Sequence, residues 1–216
     1  MTQDKIGVCH IIGAGDFSSS LLQIKEEDFI IAADGGYRHL LQCGISPHLF
    51  VGDSDSLGFV PEGIESVVLP KVKDDTDTLS ATREGLSRGY RRFCYYGVLG
   101  GKRFSHSLAA LQILTFLASV GAEGEIVDAG SRIRLLTEGE YHLDLAGGYF
   151  SLFAFAGNAI LSIENARYEG DDILLSPEFP LGTSNEGQEN TCIRVKSGSA
   201  LLVFEPDSLR PNRANS

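Results

Sequence analysis

Tryptophan is missing from this 216-residue chain, methionine occurs once, and cysteine appears only at positions 9, 43, 94 and 192. The cysteines are widely scattered and form no CxxC pair, so neither a disulfide framework nor a cysteine-rich zinc site is expected. Cys9 and Cys94 lie in apolar runs and read as small buried hydrophobes. Basic residues are scarce: 18 Lys and Arg against 29 Asp and Glu leave a formal charge of −11. That excludes a general nucleic-acid binder, which needs a basic face for phosphates. It leaves room for a nucleotide substrate, because bound divalent cations reverse the local sign. No stretch approaches the roughly 20 apolar residues that span a bilayer. The start, MTQDKIGVCHIIGAG, has no basic leader region and only a short apolar run. Together these features predict a reducing, cytoplasmic setting.

What is present divides into two halves of different period. At 43% hydrophobic, the chain has enough apolar material for a real core. In the first half, strands are expected at 6–12, 29–33, 49–51, 67–69 and 93–96. Helices are expected near 18–25, 36–43, 77–88 and 106–119. The last of these is apolar nearly all round and reads as a buried helix ending at Gly121. Such alternation predicts an α/β unit with a mostly parallel sheet and flanking helices. From about Glu125 the segments RIRLL, YHLDL, YFSLFAF, AILSIENARY and ALLVFE are short, β-rich and divided by turn residues. They predict an all-β, sandwich-like second domain. The boundary is placed between 128 and 129, giving domains 1–128 and 129–216.

Acidic residues gather where strands end. The strand at 29–33 runs into Asp34-Gly35-Gly36, and that at 49–51 into Gly52-Asp53-Ser54-Asp55-Ser56. The 67–69 strand leads to Lys73-Asp74-Asp75-Thr76-Asp77, which opens a helix. In a parallel sheet these turns share the carboxyl edge, where open α/β folds bind ligands. Clustered carboxylates oppose one another's ionisation unless a cation neutralises them. Oxygen ligands without Cys or His suit Mg²⁺ shared with substrate phosphates. In an extended loop Asp53 and Asp55 point to one side, about 7 Å apart. The competing explanation is plain turn and cap formation.

The turn Gly97–Gly101, followed by Lys102 and Arg103, offers backbone N–H groups and two cations to a phosphate. It is not a Walker A loop, because Arg103 stands where Ser or Thr is required. Gly13-Ala14-Gly15 is no dinucleotide fingerprint, since Ser18 takes the third glycine's place. The run from Asp53 is superficially like a calcium loop, but Leu57 and Ile64 occupy ligand positions. His106 opens the last helix of this half, with capping and substrate contact both open. His10, His39, His48 and His142 show no partner pattern.

Taken in order, these motifs resemble the thiamine pyrophosphokinase family. Gly52–Ser56 is similar to its G-D-x-D-S, Lys73–Asp77 to its K-D-x-T-D, and Gly100–His106 to its G-G-R-x-D-H. Ala33–Gly36 also fits, and Gly182-Thr183-Ser184-Asn185 resembles its G-T-S-N. The resemblance implies transfer of a pyrophosphoryl group from ATP to the thiamine hydroxyl, with Mg²⁺ as cofactor. It implies a homodimer with active sites between subunits. Carried over by position, Asp53, Asp55 and Asp77 hold the metal and, with Asp74, form the catalytic acids. Asp34, Gly35, Gly36, Ser56, Lys73, Thr76, Gly100, Gly101, Arg103 and His106 fall on the nucleotide side. Ser184 and Asn185 border thiamine. Either Asp74 or Asp75 orients the hydroxyl. Ser105 stands where the family usually carries Asp, and the turn before it is one residue longer. Two other readings remain at this stage: a Mg²⁺-dependent phosphohydrolase, suggested by Asp53-Ser54-Asp55 after a strand, and a non-catalytic nucleotide- or thiamine-binding regulator.

Overall fold

The computed structural model describes residues 4–53, 59, 61, 63–70, 75–101 and 103–209. The chain divides into two compact units, Met1–Asp128 and Ala129–Ser216.

The first unit is built on a parallel sheet of β1 (Cys9–Ile12), β2 (Phe29–Ala33), β3 (Leu49–Gly52), β4 (Glu65–Val68), β5 (Arg92–Tyr96) and β6 (Glu123–Val127). Pairing runs β6-β5-β1-β2-β3-β4, every neighbour parallel. The chain steps outward from β1 to β4, then returns to lay β5 on the other side of β1. The β1/β5 boundary is therefore the topological switch point, where a crevice opens at the carboxyl ends. Three α-helices are described: α1 (Gly36–Gln42), α2 (Asp77–Ser87) and α3 (Phe104–Ser119). Among the described residues, no helix is long and apolar enough to cross a membrane.

Strand alternation assigns the two faces of this sheet. Ile12, Ile30, Ala32 and Phe50 pack with Tyr37 and Leu40 of α1. Ile11, Ile31 and Tyr95 are almost fully buried, as are Ala81 of α2 and Leu114 and Leu117 of α3. Because the central strands are covered on both sides, they read as continuous apolar runs.

Three local expectations need correction. The segment 18–25 is no α-helix but a single 3₁₀ turn, Ser19–Leu21. Ser18 and Ser20 bond one another there at 2.9 Å, and serines of this kind compete with helical backbone bonding. The first strand starts at Cys9 instead of Ile6, because the Val8 N–H donates to the Asp28 carboxylate at 2.8 Å. The helix α3 is buried along one face only: Ala110, Ile113, Leu114 and Leu117 are inside, while Phe104 is 75% exposed and Leu108 46%.

Asp28 also accepts the Lys25 N–H at 2.8 Å and lies 3.0 Å from His10 Nε2, the pair nearly sealed from water. Burial lowers the His10 pKa from its ordinary 6.5, with the Asp28 bond opposing that shift. Burial alone would raise Asp28, but the backbone bonds from Val8 and Lys25, together with His10, hold it below its ordinary value. Unfolded His10 gains a proton below about pH 6.5 while folded His10 resists it. Stability is thus expected to be fully present above that pH and to fall as the medium is acidified. The slope due to this one group approaches about 1.4 kcal/mol per pH unit. Urea melts between pH 7.5 and 5 check this, and a His10→Gln variant should show a shallower slope.

The second unit is antiparallel throughout. It comprises β7 (Arg132–Leu136), β8 (Gly139–Leu143), β9 (Gly148–Ala154), β10 (Ala159–Ala166), β11 (Gly170–Leu175), β12 (Asn185–Ser197) and β13 (Ala200–Pro206). Strands β9, β13 and β7 form one sheet. The first residues of β12 pair with β9, and the rest pair with β10 and β8 in a second sheet that ends in β11. One core joins the two: Phe150, Leu152 and Leu202 from the first, Leu161, Ile193 and Val195 from the second. This is sandwich-like packing with one long strand switching sheets.

Candidate active site

The carboxyl edge of the first unit is assembled from five strand ends. Asp34 follows β2 directly and has φ 51. That left-handed conformation is uncommon for a residue with a Cβ, and such strain persists only where surroundings enforce it. Here the Asp34 N–H donates to Val51 O at 2.9 Å, and Asp34 O accepts the Tyr37 N–H at 3.2 Å. The turns after β2 and β3 are consequently in contact. A Cβ on Gly52 would lie 3.1 Å from Asp34 Cα. Asp53, the next residue, is half-buried on the same edge. Asp34 Oδ1 is buried and finds no hydrogen-bond partner among the described residues. A buried carboxylate oxygen of that kind is costly unless a ligand completes it.

Thr76 caps α2: its side-chain oxygen accepts the Leu79 N–H at 3.2 Å. The helix runs back across the sheet, so its N-terminus and the first-turn residue Asp77 lie at the carboxyl edge. An acid there suits the positive end of the helix. Asp75, just before the cap, faces Arg83 Nε at 3.3 Å. Asp55, Ser56, Lys73, Asp74 and Lys102 lie outside the described residues.

On the other side of the switch point, the loops after β1 and β5 are bonded together. Gly13 N–H donates to Tyr96 O at 2.8 Å, Gly15 N–H to Gly97 O at 2.6 Å, and Asp16 N–H to Leu99 O at 2.9 Å. A Cβ on Gly15 would lie 2.3 Å from Leu99 O, which explains its glycine by space alone. Gly100 and Gly101 have φ of 70 and 71, so the phosphate-cradle candidate is a left-handed turn that glycine adopts freely. The Gly100 N–H donates to Ser107 Oγ at 3.1 Å, tying the turn to α3. Arg103 is the N-cap of α3 without a side-chain cap bond, and His106 is exposed within its first turn.

Three residues of this edge carry no sequence motif. Asp16 places its carboxylate against Gly100, 2.0 Å from where a Cβ there would stand. His39 Nε2 lies 3.1 Å from Gly15 O, and its ring stacks on Phe17 at 4.8 Å between centroids. Asp16 was detectable as the acid just beyond a strand. The Phe17–His39 stack brings together the loop after β1 and helix α1 and left no trace in spacing.

In the second unit, Asn185 is buried, and its side chain bonds both ways with Tyr168. Its Oδ1 accepts the Tyr168 N–H at 2.9 Å, and its Nδ2 donates to Tyr168 O at 2.8 Å. Ser184 has φ 58 and an exposed side chain, its N–H donating to Ser151 Oγ at 3.0 Å.

Residues 21–123 match the family model described as the thiamin pyrophosphokinase catalytic domain, a span that takes in most of the first unit. Over that span the chain is similar to the thiamine pyrophosphokinase family. Solved thiamine pyrophosphokinases share its fold. That of Bacillus subtilis is 21% identical with a TM-score of 0.79, covering 93% of this chain and 99% of its own. A thiamin pyrophosphokinase family protein from Enterococcus faecalis is 25% identical at the same TM-score, covering 93% and 100%. The enzyme of Candida albicans is 14% identical with a TM-score of 0.75, covering 96% and 94%. No curated protein matches the sequence significantly. The fold shared with these structures agrees with the expected fold class, a parallel α/β unit followed by an antiparallel β-rich one.

Proposed function

We propose that this chain is a Mg²⁺-dependent thiamine diphosphokinase. It moves the pyrophosphoryl group of ATP to the thiamine hydroxyl, giving thiamine pyrophosphate and AMP. The observation that carries the site assignment is the meeting of Asp34, Asp53 and the α2 N-terminus at one sheet edge, with Asp34 Oδ1 buried and without a partner among the described residues. An all-oxygen donor set with such an atom fits a hard cation bearing phosphates.

The hydroxyl oxygen attacks the β-phosphorus, the new O–P bond forms as the bond to the α-phosphate oxygen breaks, AMP leaves with that oxygen, and the hydroxyl proton passes to the carboxylate that orients it and then to water. Little covalent help is required, and positioning with charge neutralisation dominates. Asp53, Asp55 and Asp77 would hold Mg²⁺, which when bound offsets charge developing on the transferred phosphates. Asp74 and Thr76 support that loop, with Asp74 or Asp75 orienting the hydroxyl. The Asp34-Gly35-Gly36 turn and Ser56 border the nucleotide. Lys73 and Arg103 contact phosphates beside Gly100, Gly101 and His106. Ser184 and Asn185 border thiamine, Asn185 by bracing the backbone at Tyr168. A homodimer with shared sites accords with the exposed Tyr168, Leu174, Phe179 and Leu181 on the second unit. The four free cysteines accord with a reducing, cytoplasmic setting.

The test is product identity. The protein is incubated with ATP, Mg²⁺ and thiamine, and the nucleotide products are separated. AMP with thiamine pyrophosphate is expected. ADP, free phosphate without an acceptor, or binding without turnover would overturn the proposal.

A further inference from the structure

One mixed-ligand cluster lies away from the carboxyl edge, on the second unit. In the β8–β12 ladder, His142 stands opposite Cys192 and Glu140 opposite Arg194. Tyr141, Leu143, Ile193 and Val195 turn inward to the core, so the other four share the outer face. Glu140 and His142 are exposed, while Cys192 is buried at their base, 8% exposed. The ligand atoms of Glu140, His142 and Cys192 all lie within 4.8 Å of one another.

We propose that Glu140, His142 and Cys192 form a binding site for a borderline divalent transition-metal ion of the Zn²⁺ class, with water or a small ligand in the fourth position. The donor types carry the choice of ion. Thiolate plus imidazole suits Zn²⁺ and its neighbours and is a poor match for Mg²⁺. Tetrahedral Zn²⁺ with bonds of about 2.0–2.3 Å needs donors roughly 3.3–3.8 Å apart. Glu140 Oε1 and His142 Nε2 already lie 3.0 Å apart. A metal between them requires only a small opening of that contact and an approach of the Cys192 sulfur.

Arg194 strengthens the assignment. Its Nε and Nη2 both reach Glu140 Oε2, at 2.7 and 2.5 Å, leaving Oε1 turned toward His142. An outer partner holding one carboxylate oxygen while the other binds is the usual support of a metal-ligating acid. The Arg194 and His142 bonds hold Glu140 below the ordinary carboxylate range, so it is ionised and ready to bind. Burial, then the charges of Glu140 and Glu164, raise the Cys192 thiol above its ordinary value. Without metal the sulfur therefore keeps its proton. On binding, the S–H bond gives way to a sulfur–metal bond and the proton passes to water.

The test titrates the full-length protein, stripped of metal by chelation, with Co²⁺ and then Zn²⁺, with excess Mg²⁺ present to occupy carboxylate-only sites. A thiolate-to-cobalt charge-transfer band and visible bands of tetrahedral intensity are expected, both displaced by Zn²⁺. Cys192→Ser should abolish the charge-transfer band. His142→Gln, at an exposed position, should weaken affinity at least about tenfold, and it keeps the test valid should the buried substitution impair folding. No charge-transfer band in the wild-type protein, or affinity unchanged in a folded His142→Gln variant, would reduce the cluster to a cross-strand ion-pair ladder and overturn the proposal. Pyrophosphokinase assays play no part in this readout, so failure here is separable from failure of the proposed activity.

Discussion

Asp77→Asn is expected to lower pyrophosphoryl transfer by at least about 10²-fold, the scale of losing a major electrostatic contact to a transition state. Asp77 opens α2 immediately after the Thr76 cap, and Thr76 accepts the Leu79 N–H through its own hydroxyl. The substitution leaves that cap intact and keeps the side chain's shape. Its cost in stability should stay near the 0.3–1 kcal/mol typical of one acid at a helix N-terminus. A helix-capping role alone would thus appear as a small loss of stability with turnover nearly unchanged. A role in holding metal and phosphate would appear as a large fall in kcat in a folded protein. Steady-state AMP release and a urea melt on the same variant separate the two, and near-wild-type turnover would refute the assignment. Asp55→Asn should behave similarly if the two acids act on one ion.

Gly36→Ala should destabilise the protein by about 3 kcal/mol, the upper range for forcing atoms into a packed site. The sign makes this informative. In an ordinary helix position Ala is favoured over Gly by about 1 kcal/mol. Gly36 opens α1, yet a Cβ there would lie 1.9 Å from Ile12 O and 2.9 Å from Gly13 O. Both oxygens belong to the backbone at the end of β1, so no rotamer change relieves the overlap. Separating them would disturb the Gly13 N–H bond to Tyr96 O, and with it the joint between the β1 and β5 loops. Chemical denaturation of the variant measures this directly. Equal or greater stability would show that α1 does not press on β1 as described.

These two residues mark how far the sequence could be read. Asp-Gly-Gly after a strand was recognisable as a turn at the carboxyl edge because a parallel sheet sends its strand ends to one side. The spatial reason for Gly36 was hidden, since it depends on a strand more than twenty residues earlier in the chain. Asp34 was legible as an acid at that edge. Its left-handed backbone was not, because it is held by contact with the end of β3. The helix expected at 18–25 failed for a local reason: Ser18 and Ser20 bond one another, and side chains of this kind compete with helical backbone bonding. The apolar composition of α3 misled in another way. Hydrophobicity all round predicted full burial, but the sheet covers one side only and leaves Phe104 and Leu108 outward.

By itself, the sequence determined the division into a parallel and an antiparallel half, the places where strands end in acids, and the ordered motifs that point to one family. All of these are set by periodicity and by residue chemistry within a few positions. Tertiary structure alone decided the rest: the switch point between β1 and β5, the stack of Phe17 on His39, the pairing of Asn185 with Tyr168, and the register that sets His142 opposite Cys192. Those relations join residues distant along the chain. They exist only once burial of the two cores has fixed which strand lies beside which, and in what register.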